Sequence, residues 1–158
     1  MIYILGGLLA LPACTAESIK TSLLQQEKDI ERYIETLKKN TENPVDTVYY
    51  FGGVYRVVLE AGVGEGAAAG DSVVFDYKAY MFASGKGAVY DSLQHERGTL
   101  GQGSYFAGLE TGLTGMLEGE QAQVILTSEK GYGSVAVGIV PPNTPLLFEI
   151  KMDRVVKN

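Results

Sequence analysis

Glycine is concentrated in the later part of the chain, where most of its twenty glycines follow Gly52. Glycine readily adopts the left-handed backbone conformations of tight turns, and it weakens helices. The later part of the chain is therefore predicted to consist mainly of strands joined by tight turns. A length of 158 residues fits one domain with an appendage, and such a domain folds without disulfides or metal.

Charge and the counts of two residue types exclude several classes of site. A formal net charge of −6 argues against a nucleic-acid partner, which requires a basic face. The single cysteine, Cys14, excludes an internal disulfide, a multi-cysteine zinc site and an iron–sulfur cluster. Because His95 is the only histidine, almost no arrangement of protein metal ligands is left. We therefore expect no metal, no cofactor and no nucleic-acid partner.

The N-terminus has the pattern of an export signal. Residues 1–13 are apolar and uncharged, too few to span a bilayer, and end in small residues. Leu11-Pro12-Ala13-Cys14 resembles the bacterial lipobox, in which the cysteine becomes the lipidated first residue. We therefore expect a lipoprotein-type signal peptide over residues 1–13 and an acyl anchor on Cys14. No acidic cluster follows, which favours the outer membrane facing the periplasm over the cell surface. Alternatively, residues 1–13 form a buried element and Cys14 is a core thiol.

Residues 18–39 carry one apolar stripe at helical spacing. Its members are Ile19, Leu23, Ile30, Tyr33 and Leu37. Ser22 and Gln25 fit a capping box that would start the helix later, and Asn43-Pro44 is predicted to end it. The stripe has three possible uses: docking on the chain's own domain or acting as a spacer, pairing with a second copy in a homodimer, or forming part of a flexible tether. Residues 14–45 are thus predicted to be a helix and linker.

Residues 46–158 have the pattern of an antiparallel α+β domain. β-branched and aromatic residues, or apolar residues in alternation, predict strands over Thr47–Phe51, Val54–Leu59, Asp71–Phe82, Gln121–Ser128 and Pro145–Val156. Only Ala107–Leu113 is predicted to form a short helix between them. The expected fold is a twisted sheet with this helix on its concave side. The Gly/Ala loop at residues 62–70 precedes no helix, so it does not predict phosphate binding.

Several spaced motifs occur in one order over nearly all of residues 54–156. They are Gly70-Asp71, Tyr77, Tyr90-Asp91-Ser92, the run from Leu100 to Leu113, Gly115-Met116, Gly119-Glu120, Tyr132-Gly133, Ile139 to Asn143, and Leu146-Leu147-Phe148. In residue type and order, this set resembles the FKBP-type peptidyl-prolyl isomerases. The resemblance implies an FKBP-like twisted sheet around one short helix, and isomerase activity on proline-containing clients. With the predicted export signal, it implies assistance to protein folding in the cell envelope.

The resemblance also assigns roles to individual residues. As catalytic residues it implies Tyr77, Asp91, Phe106 and Tyr132. As substrate-binding residues it implies Tyr90, Tyr105, Leu109, Ile139, Val140 and Phe148. Tyr105 and Phe106 are expected at the start of the short helix, where the family offers a backbone N–H to a substrate carbonyl. Ile139 and Val140 are expected in a loop that closes over the proline.

Two departures from the family pattern concern the pocket. Leu109 occupies a floor position that is most familiar as Trp, and residues 95–98 supply none of the aromatic groups that the family often has there. His95 is expected to be a solvated loop residue. These losses widen the pocket and predict reduced activity. They keep open an alternative function, a catalytically weak binding, chaperone or assembly lipoprotein similar to FKBP-like proteins of gliding or export machinery.

Overall fold

The computed structural model describes residues 13–42 and 44–158. Nearly all of the predicted signal peptide, residues 1–13, lies outside the described residues, and so does the side chain of Cys14. Within the described residues, no helix is both long enough and apolar enough to cross a membrane.

The domain is a single sheet with one helix on each face. The elements, in chain order, are α1 (Ala13–Lys38), β1 (Thr47–Tyr50), β2 (Val54–Glu60), β3 (Ser72–Phe82), β4 (Lys86–Thr99), α2 (Ala107–Leu113), β5 (Gln121–Leu126), a 3-10 helix (Ser128–Lys130) and β6 (Leu146–Val156). The strands form one sheet in the order β1-β2-β5-β6-β3-β4, and every neighbouring pair is antiparallel. The predicted α+β fold is confirmed, and α2 has the predicted bounds.

The larger core lies between α2 and one face of the sheet. Leu109 and Leu113 of α2 are buried against alternate residues of the strands, among them Phe75, Val124 and Phe148. The alternation follows from the two-residue period of a strand, which sends successive side chains to opposite faces. The intervening residues of the same strands therefore face the other side.

That other side is covered by α1. Ile30 and Ile34 are buried against residues such as Val57, Ile125 and Leu147. The tip of Gln26 also accepts a hydrogen bond from the Ser128 backbone N–H at 2.8 Å. Docking of the helix on its own domain is thereby confirmed. A homodimer formed through residues 18–39 would have to use the remaining faces of α1.

The ends of α1 differ from the sequence expectation. The helix begins at Ala13, so Ser22 lies inside it and is not an N-cap residue. Gln25 instead donates a side-chain hydrogen bond to Asp29 at 3.1 Å. The helix ends at Lys38, before Asn43-Pro44, because the Asn40 side chain accepts the Glu42 backbone N–H at 2.9 Å and turns the chain.

Strand β4 is the main element that the sequence did not predict. Its 14 residues lie between the predicted strand Asp71–Phe82 and the predicted helix Ala107–Leu113, where the sequence predicted neither helix nor strand. His95, expected in a loop, also belongs to β4, where its φ of 55° marks a bulge. β4 is an edge strand with most of its side chains exposed, so it lacks the apolar pattern that predicts strands.

Asp71 ties the start of β3 to the C-terminus. Its carboxylate accepts hydrogen bonds from the Lys157 ammonium at 2.9 Å and from the Ala68 backbone N–H at 2.8 Å. These donors hold the pKa of Asp71 below its ordinary value. A lowered folded-state pKa means that the ionised form stabilises the fold above the ordinary carboxyl pKa. This contribution is lost as the pH falls through the folded-state value.

We therefore expect Asp71→Asn to lower the free energy of unfolding more at about pH 7 than at about pH 3. Urea unfolding of both proteins at the two pH values measures the difference. Glu65→Gln is the matched control, because Glu65 is an exposed carboxylate that lies 3.9 Å from the same Lys157 ammonium. A wild-type to Asp71→Asn difference that is equal at both pH values would contradict the expectation.

Candidate functional site

A small cavity opens between the start of α2, β3, β4 and the loop after the 3-10 helix. Its volume is about 230 Å³. It is lined by Phe75, Tyr77, Asp91, Glu96, Ser104, Tyr105, Phe106, Leu109, Tyr132 and Phe148. Its wall is mainly aromatic, with two carboxylates and no basic residue. A cavity of this composition suits a small, largely apolar group.

The aromatic rings of the wall pack as one cluster. The Phe106 ring centroid lies 5.4 Å from that of Tyr132 and 6.0 Å from that of Phe148. The Tyr77 and Phe148 centroids are 6.0 Å apart. These tilted arrangements fall in the range in which aromatic pairs attract one another beyond simple area burial. Each ring therefore holds its neighbours in place.

Tyr77 and Asp91 form the main polar contact of the cavity. The Tyr77 hydroxyl donates to Oδ2 of Asp91 at 2.7 Å, and the Ser92 backbone N–H donates to Oδ1 at 2.8 Å. Burial and the nearby Asp91 carboxylate raise the pKa of Tyr77 well above its ordinary value. The phenol thus remains a proton donor throughout the physiological range, and the carboxylate is held in one orientation.

Two further hydroxyls at the cavity are buried without a partner. Oη of Tyr90 and Oη of Tyr105 make no hydrogen bond within the part of the chain that the structure describes. Burial, together with the charges of Glu96 and Glu110, raises the pKa of Tyr105 to about 12. The ring of Tyr90 lies against Tyr132 and Phe148, with centroids 6.1 and 6.3 Å away. Tyr90 therefore supports the wall from behind.

Helix α2 is held close to its surroundings by two glycines and a buried arginine. Gly108 lies against the carbonyl of Lys130, and Gly112 lies against the side chain of Val124, so neither site has room for a Cβ. The buried guanidinium of Arg56 donates to the carbonyl oxygen of Thr114 at 2.7 Å, just beyond the last residue of α2. These contacts fix the helix whose first residues line the cavity.

Comparison with known proteins identifies the fold and the family. The profile of the FKBP-type peptidyl-prolyl cis-trans isomerases matches residues 64–153. "FK506-binding protein 1" of Aspergillus oryzae is 32% identical in an alignment of 114 residues, and the match covers 65% of this chain and 98% of that protein. The chain belongs to the FKBP-type peptidyl-prolyl cis-trans isomerase family. It is a peptidyl-prolyl isomerase, as the sequence motifs predict.

Two bacterial proteins extend this comparison. The FK506-binding protein of Neisseria meningitidis serogroup B is 32% identical in an alignment of 109 residues, and the match covers 66% of this chain and 97% of that protein. The crystal structure of a peptidyl-prolyl cis-trans isomerase from Pseudomonas syringae pv. tomato superimposes with a TM-score of 0.65 at 23% identity. That match covers 87% of this chain and 96% of the other, so the shared fold extends well beyond the profile match.

Most of the residues that the sequence assigned to the isomerase site lie together. Tyr77, Asp91, Tyr105, Phe106, Leu109, Tyr132 and Phe148 line the cavity, and Tyr90 contacts two of them. Ile139 and Val140 do not line it: Ile139 is 66% exposed, and Val140 is 1% exposed within the core. A tight turn between Val137 and Val140 sends these two neighbours in different directions.

Three lining residues were not assigned by the sequence analysis. Phe75 lies two residues before Tyr77 on β3, so strand alternation places both on one face and could have identified it. The family resemblance places the segment that contains Glu96, residues 95–98, at pocket positions without assigning Glu96 itself, whereas Ser104 carried no signal. Glu96 reaches the cavity because of the bulge in β4, and Ser104 belongs to the irregular segment before α2.

One group of residues with metal-ligating atoms lies outside the cavity. The nearest ligand atoms of Asp76, His95 and Asp153 all fall within 4.8 Å of one another. The His95 backbone N–H donates to Asp76 at 2.8 Å, and its ring Nδ1 lies 3.2 Å from a carboxylate oxygen of Asp153. These contacts across the bulge account for the clustering without a metal ion. The expectation of a metal-free protein stays a prediction.

Proposed function

We propose that this isomerase acts on protein clients in the bacterial cell envelope and that the aromatic cavity receives the proline ring. The observation that supports this site is the aromatic cluster that lines the cavity, with the Tyr77–Asp91 hydrogen bond at its wall. The lipobox-like Leu11-Pro12-Ala13-Cys14 supports the location, with a lipid anchor on Cys14 in the outer membrane and the domain facing the periplasm.

The chemistry requires no nucleophile and no metal. Rotation about a peptide bond has a barrier of about 18–20 kcal/mol, because the C–N bond has partial double-bond character. At the twisted transition state the amide loses this resonance, and its carbonyl becomes less polar. A dry cavity that disfavours the polar planar amide relative to the twisted one therefore lowers the barrier.

The cavity residues divide into two roles in this proposal. The rings of Phe106, Tyr132 and Phe148 pack around the pyrrolidine ring and exclude water. The Tyr77–Asp91 pair places a carboxylate of fixed orientation beside the twisting amide, whose carbonyl carbon becomes more electron-poor as resonance with the nitrogen is lost. Leu109 forms the floor, and its smaller side chain leaves more room than the Trp that is familiar in the family.

An isomerisation assay on the full chain tests the catalytic part. NMR exchange spectroscopy on a proline-containing tetrapeptide measures cis–trans exchange without a coupled protease. We expect catalysed exchange, and we expect aromatic ring signals of the cavity to shift on binding. Binding without accelerated exchange, at high protein concentration, would instead favour the binding or chaperone alternative.

Metabolic labelling of cells with a radioactive fatty acid tests the anchor. We expect label on the wild-type protein, recovery in the outer-membrane fraction, and loss of both in Cys14→Ser. An unlabelled wild-type protein would overturn the lipid anchor while leaving the catalytic proposal intact. Proteolytic shaving of intact cells distinguishes a periplasmic domain from one on the cell surface, because the outer membrane protects a periplasmic domain from the protease.

A further inference from the structure

Glu96 is a carboxylate of the cavity wall that has no partner. It is half-buried, it lines the cavity, and its side chain makes no hydrogen bond or ion pair with any residue that the structure describes. The other lining carboxylate, Asp91, is already bonded to Tyr77 and to the Ser92 backbone N–H. A partly buried charge without compensation is costly, and a cation brought by a ligand would remove that cost.

The backbone of β4 aims Glu96 at the cavity. Glu96 pairs with Phe75 and Leu93 pairs with Tyr77, so Gln94 and His95 together stand opposite Asp76 alone. Such a bulge shifts the alternation by one residue. As a result Glu96, and not its neighbour His95, is on the face that carries Phe75 and Tyr77.

The charge of this wall is uniformly negative. Asp91 and Glu96 line it, and Glu110 lies close enough for its charge to act on Tyr105, which also lines the cavity. Among the described residues, no lysine, arginine or histidine nitrogen lies within the 4.0 Å of an ion pair from Asp91, Glu96 or Glu110. A cationic side chain placed here would be attracted by these carboxylates, and no cation of the described residues would compete with it for them.

We propose that Glu96 makes this cavity select client segments in which lysine or arginine lies next to the isomerising proline. The inference rests on the proposed function, since it requires the proline ring to occupy the aromatic cavity. A flanking side chain then leaves the cavity along its wall, where Glu96 is the unpaired group. The substrate class is a basic, proline-containing segment.

A peptide series tests the selection. Acetylated and amidated tetrapeptides carry lysine, norleucine or glutamate before the proline, and a second set carries them after it. Norleucine matches the length of lysine without the charge. For at least one of the two positions, we expect kcat/KM for lysine to exceed that for norleucine by about threefold to fivefold, with glutamate lowest. The preference for lysine should weaken as the salt concentration rises, because the ion pair between Glu96 and the lysine of the peptide would be partly exposed to solvent.

A matched pair of variants assigns the preference to Glu96. Glu96→Gln should bring the lysine-to-norleucine ratio to about one. Glu65→Gln removes the same charge at a surface loop outside the cavity, where its side chain is 87% exposed, and should leave the ratio unchanged. Circular dichroism shows whether each variant is folded. If Glu96→Gln does not fold, the salt series on the wild-type protein replaces it.

The outcomes separate this inference from the function on which it rests. Catalysed exchange with equal rates for lysine and norleucine at both positions would overturn the role of Glu96 and leave the isomerase site standing. A preference that persists in Glu96→Gln would assign it to the general negative charge of the protein and would also overturn the inference. Absence of exchange and of binding for every peptide would overturn the proposed site itself.

Discussion

Replacing Gly108 with alanine is expected to lower the free energy of unfolding by about 3 kcal/mol. A Cβ at this position would overlap the carbonyl oxygen of Lys130 and lie 2.9 Å from its carbonyl carbon. Both atoms belong to the backbone of the 3-10 helix, so no flexible side chain can move aside. A loss of stability would be informative, because alanine is otherwise more favourable than glycine in a helix interior by roughly 1 kcal/mol.

Gly85→Ala is the matched control for this substitution. A Cβ at Gly85 would lie 3.5 Å from two ring carbons of Tyr33, which is ordinary contact, and its backbone is outside the left-handed region. We expect its stability to stay within about 0.5 kcal/mol of wild type. Urea denaturation of both variants gives the comparison. Equal stabilities for Gly108→Ala and wild type would show that α2 does not depend on this close approach.

The largest effect on activity is expected for Asp91→Asn, which should lower kcat/KM by about tenfold or more. Asp91 is an exposed residue at the cavity wall, and its carboxylate accepts the Tyr77 hydroxyl at 2.7 Å. Asparagine keeps the shape but removes the charge that strengthens this hydrogen bond. It also removes the negative group that the proposed mechanism places beside the twisting amide.

A double-mutant cycle with Tyr77→Phe shows whether the two residues act as a unit. Tyr77→Phe removes the hydrogen bond that Asp91→Asn weakens, so the double variant should lose little more than the worse single variant. Asp46→Asn controls for the loss of one surface charge, since Asp46 is exposed at the start of β1. Additive losses in the cycle, or full activity of Asp91→Asn, would contradict the assigned roles. Thermal unfolding of each variant excludes an effect of stability.

Much of the cavity was predictable because its residues belong to regular elements. Tyr77 and Phe148 alternate with outward-facing residues along β3 and β6, and Leu109 lies on the buried side of a helix whose bounds were predicted. Local periodicity determines the face of such a residue once its element is known. The ordered motifs then identified which faces enclose the site.

The predictions that failed concern residues whose position in the fold is not determined by the local sequence pattern. Ile139 and Val140 are both apolar and adjacent, so nothing local distinguishes them, yet one is exposed and the other is buried. Strand β4 has a composition typical of a loop, because an edge strand that is exposed along most of its length has no buried face to impose alternation. Its existence depends on pairing with β3, to which residues 83–85 join it as a hairpin, and its own side chains show no pattern that indicates this pairing.

The sequence by itself determined the strand-rich domain, the short helix, the apolar stripe of the N-terminal helix and the family to which the chain belongs. Only the tertiary structure decided that the stripe packs on the sheet face opposite α2, and that Glu96 is the residue of the segment 95–98 that lines the cavity. The physical reason is the same in both cases. A pattern states which side of an element is apolar, but the partner of that side, and the register at a bulge, depend on contacts between residues distant in the chain.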